Sequence, residues 1–216
     1  MTSKEQNNIP PVYGLVLAGG KSVRMGQDKG SIQWHGQEQR YYMADMLQIL
    51  CSEVYISCRE EQQAELDPAY KSLPDTYEGG GAIIAILSAF KAKPDAAWLI
   101  VACDLPLLDR TTLQYLIQQR DAGKIATTFA SPFDTLPEPL IAIWEPGCRS
   151  TLLAHYADGF KCPRKLLIRN EERIKILTPP NPDALMNTNT PEDAAKARHI
   201  IALKSTGNMP PPNNKQ

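Results

Sequence analysis

Apolar residues along this chain gather in short runs, with stretches of helical spacing between them. Residues 12–18 form a compact run that stops at Gly19-Gly20, and residues 54–57 and 98–101 form two more, each short enough for a strand. Between them, residues 39–50 set Tyr42, Met46, Leu47 and Leu50 at helical spacing, and residues 82–90 follow three glycines and read as a helix. Residues 111–120 predict the next helix. Further strands are expected at 125–129, 140–144 and 174–177, separated by helices at 147–156 and 163–168. Thr190, Pro191 and Asp193 then mark a helix start: a side-chain cap, a proline in the first turn and an acid near the positive end of the dipole. Strands and helices alternating in this way predict an α/β fold of three layers, a mostly parallel, doubly wound sheet with helices on both faces. Ligands in such a fold sit beyond the carboxyl ends of the strands.

Length and charge narrow the picture. The 216 residues suit one substantial core, read as a single domain over 11–204 with loose tails at 1–10 and 205–216. Lys plus Arg number 23 against 24 Asp plus Glu, so no global field draws nucleic acid or an anionic membrane surface, and any phosphate binding must be local. No apolar run approaches a membrane span and the first residues lack a signal peptide's apolar centre, so the expected compartment is the cytoplasm. The five cysteines (Cys51, Cys58, Cys103, Cys148 and Cys162) contain no C-x-x-C pair and read as reduced thiols, while His35, His155 and His199 are too dispersed for a metal cluster or a triad.

The densest chemical signal is LAGGKSVRMGQDK over residues 17–29, where the first strand ends. Glycines let backbone N–H groups approach phosphate oxygens, and Lys21, Arg24 and Lys29 can neutralise their charge. The string is not a Walker A loop, because Leu15 stands where that motif needs its first glycine, and Gly19, Gly20 and Gly26 do not fit the dinucleotide spacing G-x-G-x-x-G. Asp104 follows the strand at 98–101 within VACDLPLL and suits a magnesium ligand, since this hard cation is held by one or two carboxylates plus substrate phosphates. Asn187 and Asn189 precede the last helix, and their amides can both donate to and accept from a heterocycle.

The string at 17–29 resembles the L-A-G-G-x-S-x-R-M-G-x-D-K signature of the molybdenum cofactor guanylyltransferases and their MobA-like relatives, matching every fixed position. The resemblance runs in motif order over roughly residues 12–202. Asp104 matches the family's aspartate-proline metal motif, Asp75 in LPDTYEGGGA matches a nucleotide-contacting aspartate, and MNTNTPED over 186–193 is similar to the closing N-x-N-T-P-E motif. Two departures stand out. The Gly79-Gly80-Gly81 turn replaces a G-P-L-A-G-like loop, with Glu78 beside it a weaker candidate, and Ser57 stands where the guanylyltransferase pattern can carry a nucleotide-contacting asparagine. The segments at 135–144 and 163–167 are also similar to the family, with Arg164 and Lys165 candidates for the acceptor's phosphate.

The resemblance implies a Rossmann-like sandwich of the nucleotide-diphospho-sugar transferase type that moves GMP from GTP to molybdopterin with Mg2+ and releases pyrophosphate. Arg24, Lys29 and Asp104 are its expected catalytic residues, with Asp104 the metal ligand. Leu17, Ala18, Gly19, Gly20, Lys29, Ser57, Asp75 and Asp104 would meet the nucleotide, and Asn187 and Asn189 the acceptor. Contact with proteins that mature molybdoenzymes belongs to the same implication. The residues leave two alternatives: a cytidylyltransferase or other small-molecule nucleotidyltransferase, and a catalytically weak nucleotide-binding or cofactor-carrier module.

Overall fold

In the computed structural model, residues 9–18 and 29–205 are described. Seven strands form one sheet: β1 (Val12–Leu17), β2 (Val54–Cys58), β3 (Lys71–Pro74), β4 (Ala97–Ala102), β5 (Ala126–Ala130), β6 (Pro137–Trp144) and β7 (Ile174–Leu177). The helices are α1 (Gln39–Gln48), α2 (Ala82–Ala92), α3 (Arg110–Gln118), α4 (Arg149–Ala157), α5 (Pro163–Arg169) and α6 (Pro191–Ser205). The strand order is β3-β2-β1-β4-β6-β5-β7, and only β6 runs antiparallel to its neighbours. The expected mostly parallel, doubly wound sheet is thus present. From β1 the chain winds outward through β2 and β3, then returns to place β4 on the other side of β1. This reversal opens the ligand crevice between the carboxyl ends of β1 and β4.

The two faces of the sheet carry two separate cores, as the period of a strand requires. Along β4, Ala97, Leu99 and Val101 face a core with Met43 and Leu47 of α1 and Leu113 and Leu116 of α3. Trp98 and Ile100 face the opposite core, built with α2 and with Leu152 of α4 and Leu166 of α5. Helix α2 is buried from Ile83 through Phe90, so it is apolar around its whole circumference rather than along one stripe. Gly81 caps its start at φ +95, a backbone region that only glycine adopts without strain. A third, smaller cluster joins Ala194 and Ala197 of α6 to Ile32, Trp34, Leu107 and Met186, which holds the closing motif against the loop after β4.

Three features differ from the sequence reading. β3 stands in the segment read only as a lead into the glycine turn; four residues with one buried position carry too little periodicity to announce an edge strand. β6 begins at Pro137, earlier than the expected residue 140, and contains both prolines. A register shift between Thr128 and Ala130 of β5 accommodates them, and the Thr128 hydroxyl donates to the Glu138 carbonyl. The end of the segment read as an N-terminal tail is tied down, since the Pro10 carbonyl accepts from Arg120 at 2.8 Å. At the other end Ser205, read as the first tail residue, closes α6, and residues 1–8 and 206–216 lie outside the described residues.

Candidate active site

The site grows from the carboxyl ends of adjacent strands. Leu17 at the end of β1 pairs in register with Ser57 of β2 and Ala102 of β4, so residues following these strands emerge along one edge. Past β4, the chain turns at Asp104-Leu-Pro106. This turn is held by the Thr188 amide, which donates to the Asp104 carbonyl at 2.8 Å, and by His35, whose Nε2 lies 2.8 Å from the Pro106 carbonyl. The closing motif is therefore fixed to the Asp104 loop by backbone.

Three side chains distant in sequence meet here. Lys29 Nζ lies 3.2 Å from Asp104 Oδ2 and donates to Asn189 Oδ1 at 2.6 Å. Asn189 is itself placed by the start of α6, where the Asp193 carboxylate accepts from the amides of Asn189 and Thr190, both at 3.0 Å, and the Asp193 amide donates to Thr190 Oγ1 at 3.2 Å. That reciprocal arrangement is a helix cap, as the sequence suggested, and it leaves both asparagine side chains for other work. Asp104 Oδ1 is buried and has no hydrogen-bond partner among the described residues. A buried carboxylate oxygen without a partner is costly, and a hard divalent cation would satisfy it, so the donor chemistry fits the implied metal.

A cavity of about 320 Å³ adjoins this cluster, lined among others by Asp104, Glu138, Arg164, Asn187, Asn189 and Cys162. Arg164 is already engaged at both ends, to Glu138 at 2.7 Å and Asp134 at 2.8 Å, while Lys165 is exposed and does not line the cavity. Partial desolvation works against the Asp134 carboxylate, but the Leu136 amide and Arg164 hold its pKa below the usual range.

The nucleotide-side candidates are arranged differently. Ser57 is 2% exposed, so its hydroxyl is enclosed within the sheet edge. Asp75 follows β3, and its amide donates to the Cys58 carbonyl at 3.0 Å rather than joining the Lys29 cluster. Burial raises the Asp75 carboxyl above its ordinary value, opposed by Arg59, and its Oδ1 is buried without a partner among the described residues. The neighbouring Glu78 offers its carbonyl to the Tyr156 hydroxyl at 2.9 Å, which ties the glycine turn to α4. Leu17 and Ala18 sit at the crevice, whereas Gly19, Gly20, Lys21 and Arg24 lie outside the described residues.

Four of the five thiols are set apart by burial. Cys58, Cys103 and Cys148 are buried, and burial pushes the partly buried Cys51 up to about 12, while the exposed Cys162 lines the cavity with no base or cation hydrogen-bonded to its thiol among the described residues. Sequence reasoning did not single out Glu138 or Thr188. The proline on each side of Glu138 was the available signal, because it places an ionisable residue at the fixed mouth of a strand.

Among solved structures, the fold is similar to molybdopterin-guanine dinucleotide biosynthesis protein A from Archaeoglobus fulgidus, with a TM-score of 0.71 at 22% identity over 88% of this chain and 98% of that one. It is also similar to CMP:2-keto-3-deoxy-manno-octonic acid synthetase, with a TM-score of 0.66 at 12% identity over 90% of this chain and 99% of that one. The fold is thus that of the nucleotidyltransferases. Residues 14–174 match the MobA-like NTP transferase domain, and the chain belongs to that family. A Pseudomonas fluorescens molybdenum cofactor guanylyltransferase is 28% identical, with 85% of this chain and 92% of that protein covered. The molybdenum cofactor biosynthesis bifunctional protein of Synechocystis is 35% identical over 85% of this chain, which spans only 52% of that longer relative.

Proposed function

We propose that this protein transfers GMP from GTP to molybdopterin, forming the guanine dinucleotide cofactor and pyrophosphate. The observation that carries the reading is the contact of Lys29 with Asp104 and Asn189, residues 75 and 160 positions away, beside a cavity at the switch point of the sheet. Family membership and the names of its relatives support the same chemistry. GTP and the acceptor are both phosphates of the cell interior, and we place the reaction in the cytoplasm.

Nucleotidyl transfer requires an acceptor oxygen in line with the α-phosphorus and fixed positive charge where negative charge develops. In this reading, an acceptor phosphate oxygen attacks the α-phosphorus, the bond from it to the bridging oxygen breaks, and pyrophosphate leaves. No covalent enzyme intermediate is needed. The Gly19–Gly20 backbone and Arg24 take the triphosphate, while Lys29 presents its ammonium to the phosphate oxygens from a position already fixed by Asn189. Leu17, Ala18 and Asp75 form the nucleoside side with the enclosed Ser57 behind them, and Asn187 with Asn189 orients the acceptor. Magnesium held on Asp104 would supply positive charge to the phosphate oxygens.

The test is formation of the joined dinucleotide from molybdopterin and each of the four NTPs. GTP should give the highest kcat/KM. A preference for CTP would reassign the base, and no joined product with any NTP would defeat the molybdopterin reading.

A further inference from the structure

We infer that Glu138 is a specificity-determining residue, whose carboxylate accepts hydrogen bonds from the two-donor edge of a 2-amino-4-oxopyrimidine ring in the acceptor. This rests on the proposed acceptor being a pterin, and it names the group that reads the ring.

The cavity has two carboxylates with unlike surroundings. Asp104 meets the ammonium of Lys29, in the cluster that includes Asn189. Glu138 is held by Arg164, whose guanidinium lies 2.7 Å from Oε1, with side-chain exposures of 28% and 11% for the pair. Their places in the sheet explain why both reach one cavity. β4 and β6 are antiparallel with Val101 opposite Ile141; Asp104 stands three residues after Val101 and Glu138 three before Ile141, so both stand at the same end of the sheet.

A carboxylate has about four acceptor sites on two oxygens. Arg164 forms an ion pair with Oε1, and no hydrogen bond from a described side chain reaches Oε2, although Glu138 lines the cavity. Glu138 shares this cavity with Pro139, Leu140, Ile141, Leu105 and Leu185. Apolar walls with one acceptor-only group suit a flat heterocycle whose edge carries adjacent N–H donors. The ring N–H and the exocyclic amine of a 2-amino-4-oxopyrimidine form such an edge, with a spacing that matches the two oxygens of a carboxylate. A second metal ion is a poorer occupant at Glu138, because the Arg164 guanidinium already stands against it and would repel a divalent cation.

The experiment uses two fluorescent probes, pterin and lumazine, at a pH where both rings are neutral. They differ at position 2, where lumazine carries a carbonyl oxygen in place of the amine, with a proton gained at the adjoining N1. That change sets an acceptor against the carboxylate. Hydrogen bonds to charged groups contribute about 1.5–3 kcal/mol, so the full-length protein should bind pterin roughly tenfold to a hundredfold more tightly than lumazine. Glu138→Gln should abolish that discrimination and raise the KM for molybdopterin about tenfold with the KM for GTP unchanged. Asp134→Asn, which releases the other end of Arg164, should keep it. Equal binding of the two probes by the unaltered protein would overturn the inference. So would equal loss of discrimination in Asp134→Asn, which would assign the effect to Arg164. A Glu138→Gln protein with full discrimination and a shifted magnesium titration would overturn it by placing Glu138 at the metal. Failure of the proposed function looks different: the unaltered protein would form no joined product, while the probe titrations would still report on Glu138.

Discussion

Two ion pairs mark the two ends of the sheet, and they are built for opposite purposes. Beyond the amino ends of the strands, Arg120 grips Glu145 with two hydrogen bonds of 2.6 and 2.8 Å, and its third contact is the Pro10 carbonyl. That pair is 10% and 2% exposed. At the carboxyl end, Lys29 and Asp104 lie 3.2 Å apart at 23% exposure each, and Asp104 keeps a buried oxygen without a partner among the described residues. A planar guanidinium matched to both carboxylate oxygens fixes a geometry, whereas an ammonium on one oxygen can be exchanged for another cation or shared with a phosphate. The comparison teaches that a satisfied ion pair reports on folding and an incompletely satisfied one on function.

The largest effect should follow from breaking the satisfied pair. Arg120→Ala leaves a buried, unpaired carboxylate, which costs about 3–5 kcal/mol, whereas replacing both partners with apolar residues of similar volume should be close to neutral. Urea unfolding measures both, and the folded fraction of either variant should retain its kcat. A stable Arg120→Ala protein would show that the pair is not a lock.

At the other end, the order of effects should reverse. Lys29→Ala should lower turnover by about a hundredfold, close to 2.7 kcal/mol in the barrier, because preorganised charge at developing phosphate charge is lost. Its stability should change by no more than about 1 kcal/mol, as expected for a partly exposed pair. Asp104→Asn should lose turnover similarly and also alter the magnesium titration. If either variant unfolds as readily as Arg120→Ala, the two ends do not differ in kind.

The sequence made one of these ends legible and not the other. Lys29, Asp104 and Asn189 stand in motifs at the ends of apolar runs, and a doubly wound sheet gathers such ends at one edge. Arg120 and Glu145 carry no motif, and their pairing depends on the antiparallel placement of β6, which periodicity does not reveal: an apolar run looks the same in either direction. Glu138 escaped for the same reason, since only the register of β6 against β4 brings it to the edge that Asp104 occupies. β3 was hidden by its shortness. The burial of Ser57 follows from its having neighbours on both sides, Leu17 of β1 and Leu73 of β3, so the unseen edge strand also decided that position.

The smallest effect sharpens the comparison within the carboxyl end, where a cap serves folding and function together. The Asn189 amide chiefly holds the Asp193 carboxyl below its ordinary value, opposed by desolvation and helped by Thr190 and Lys196. A carboxyl whose folded pKa is depressed contributes stability that is fully present above its unfolded value, near 3.9, and is lost as pH falls through the folded value. Asp193 is only partly buried, so that contribution should stay below about 1 kcal/mol. Asp193→Asn should therefore melt slightly earlier at neutral pH and show a shallower loss of Tm between roughly pH 4 and the acid limit. The same substitution frees the backbone of Asn189, whose side chain lies 2.6 Å from Lys29, so the KM for molybdopterin should rise a few-fold while the KM for GTP holds. Thermal melts across pH, run beside the two KM measurements, test both halves. Parallel acid limbs would show that Asp193 does not titrate with folding, and an unchanged KM would show that the cap holds the helix without placing the asparagine.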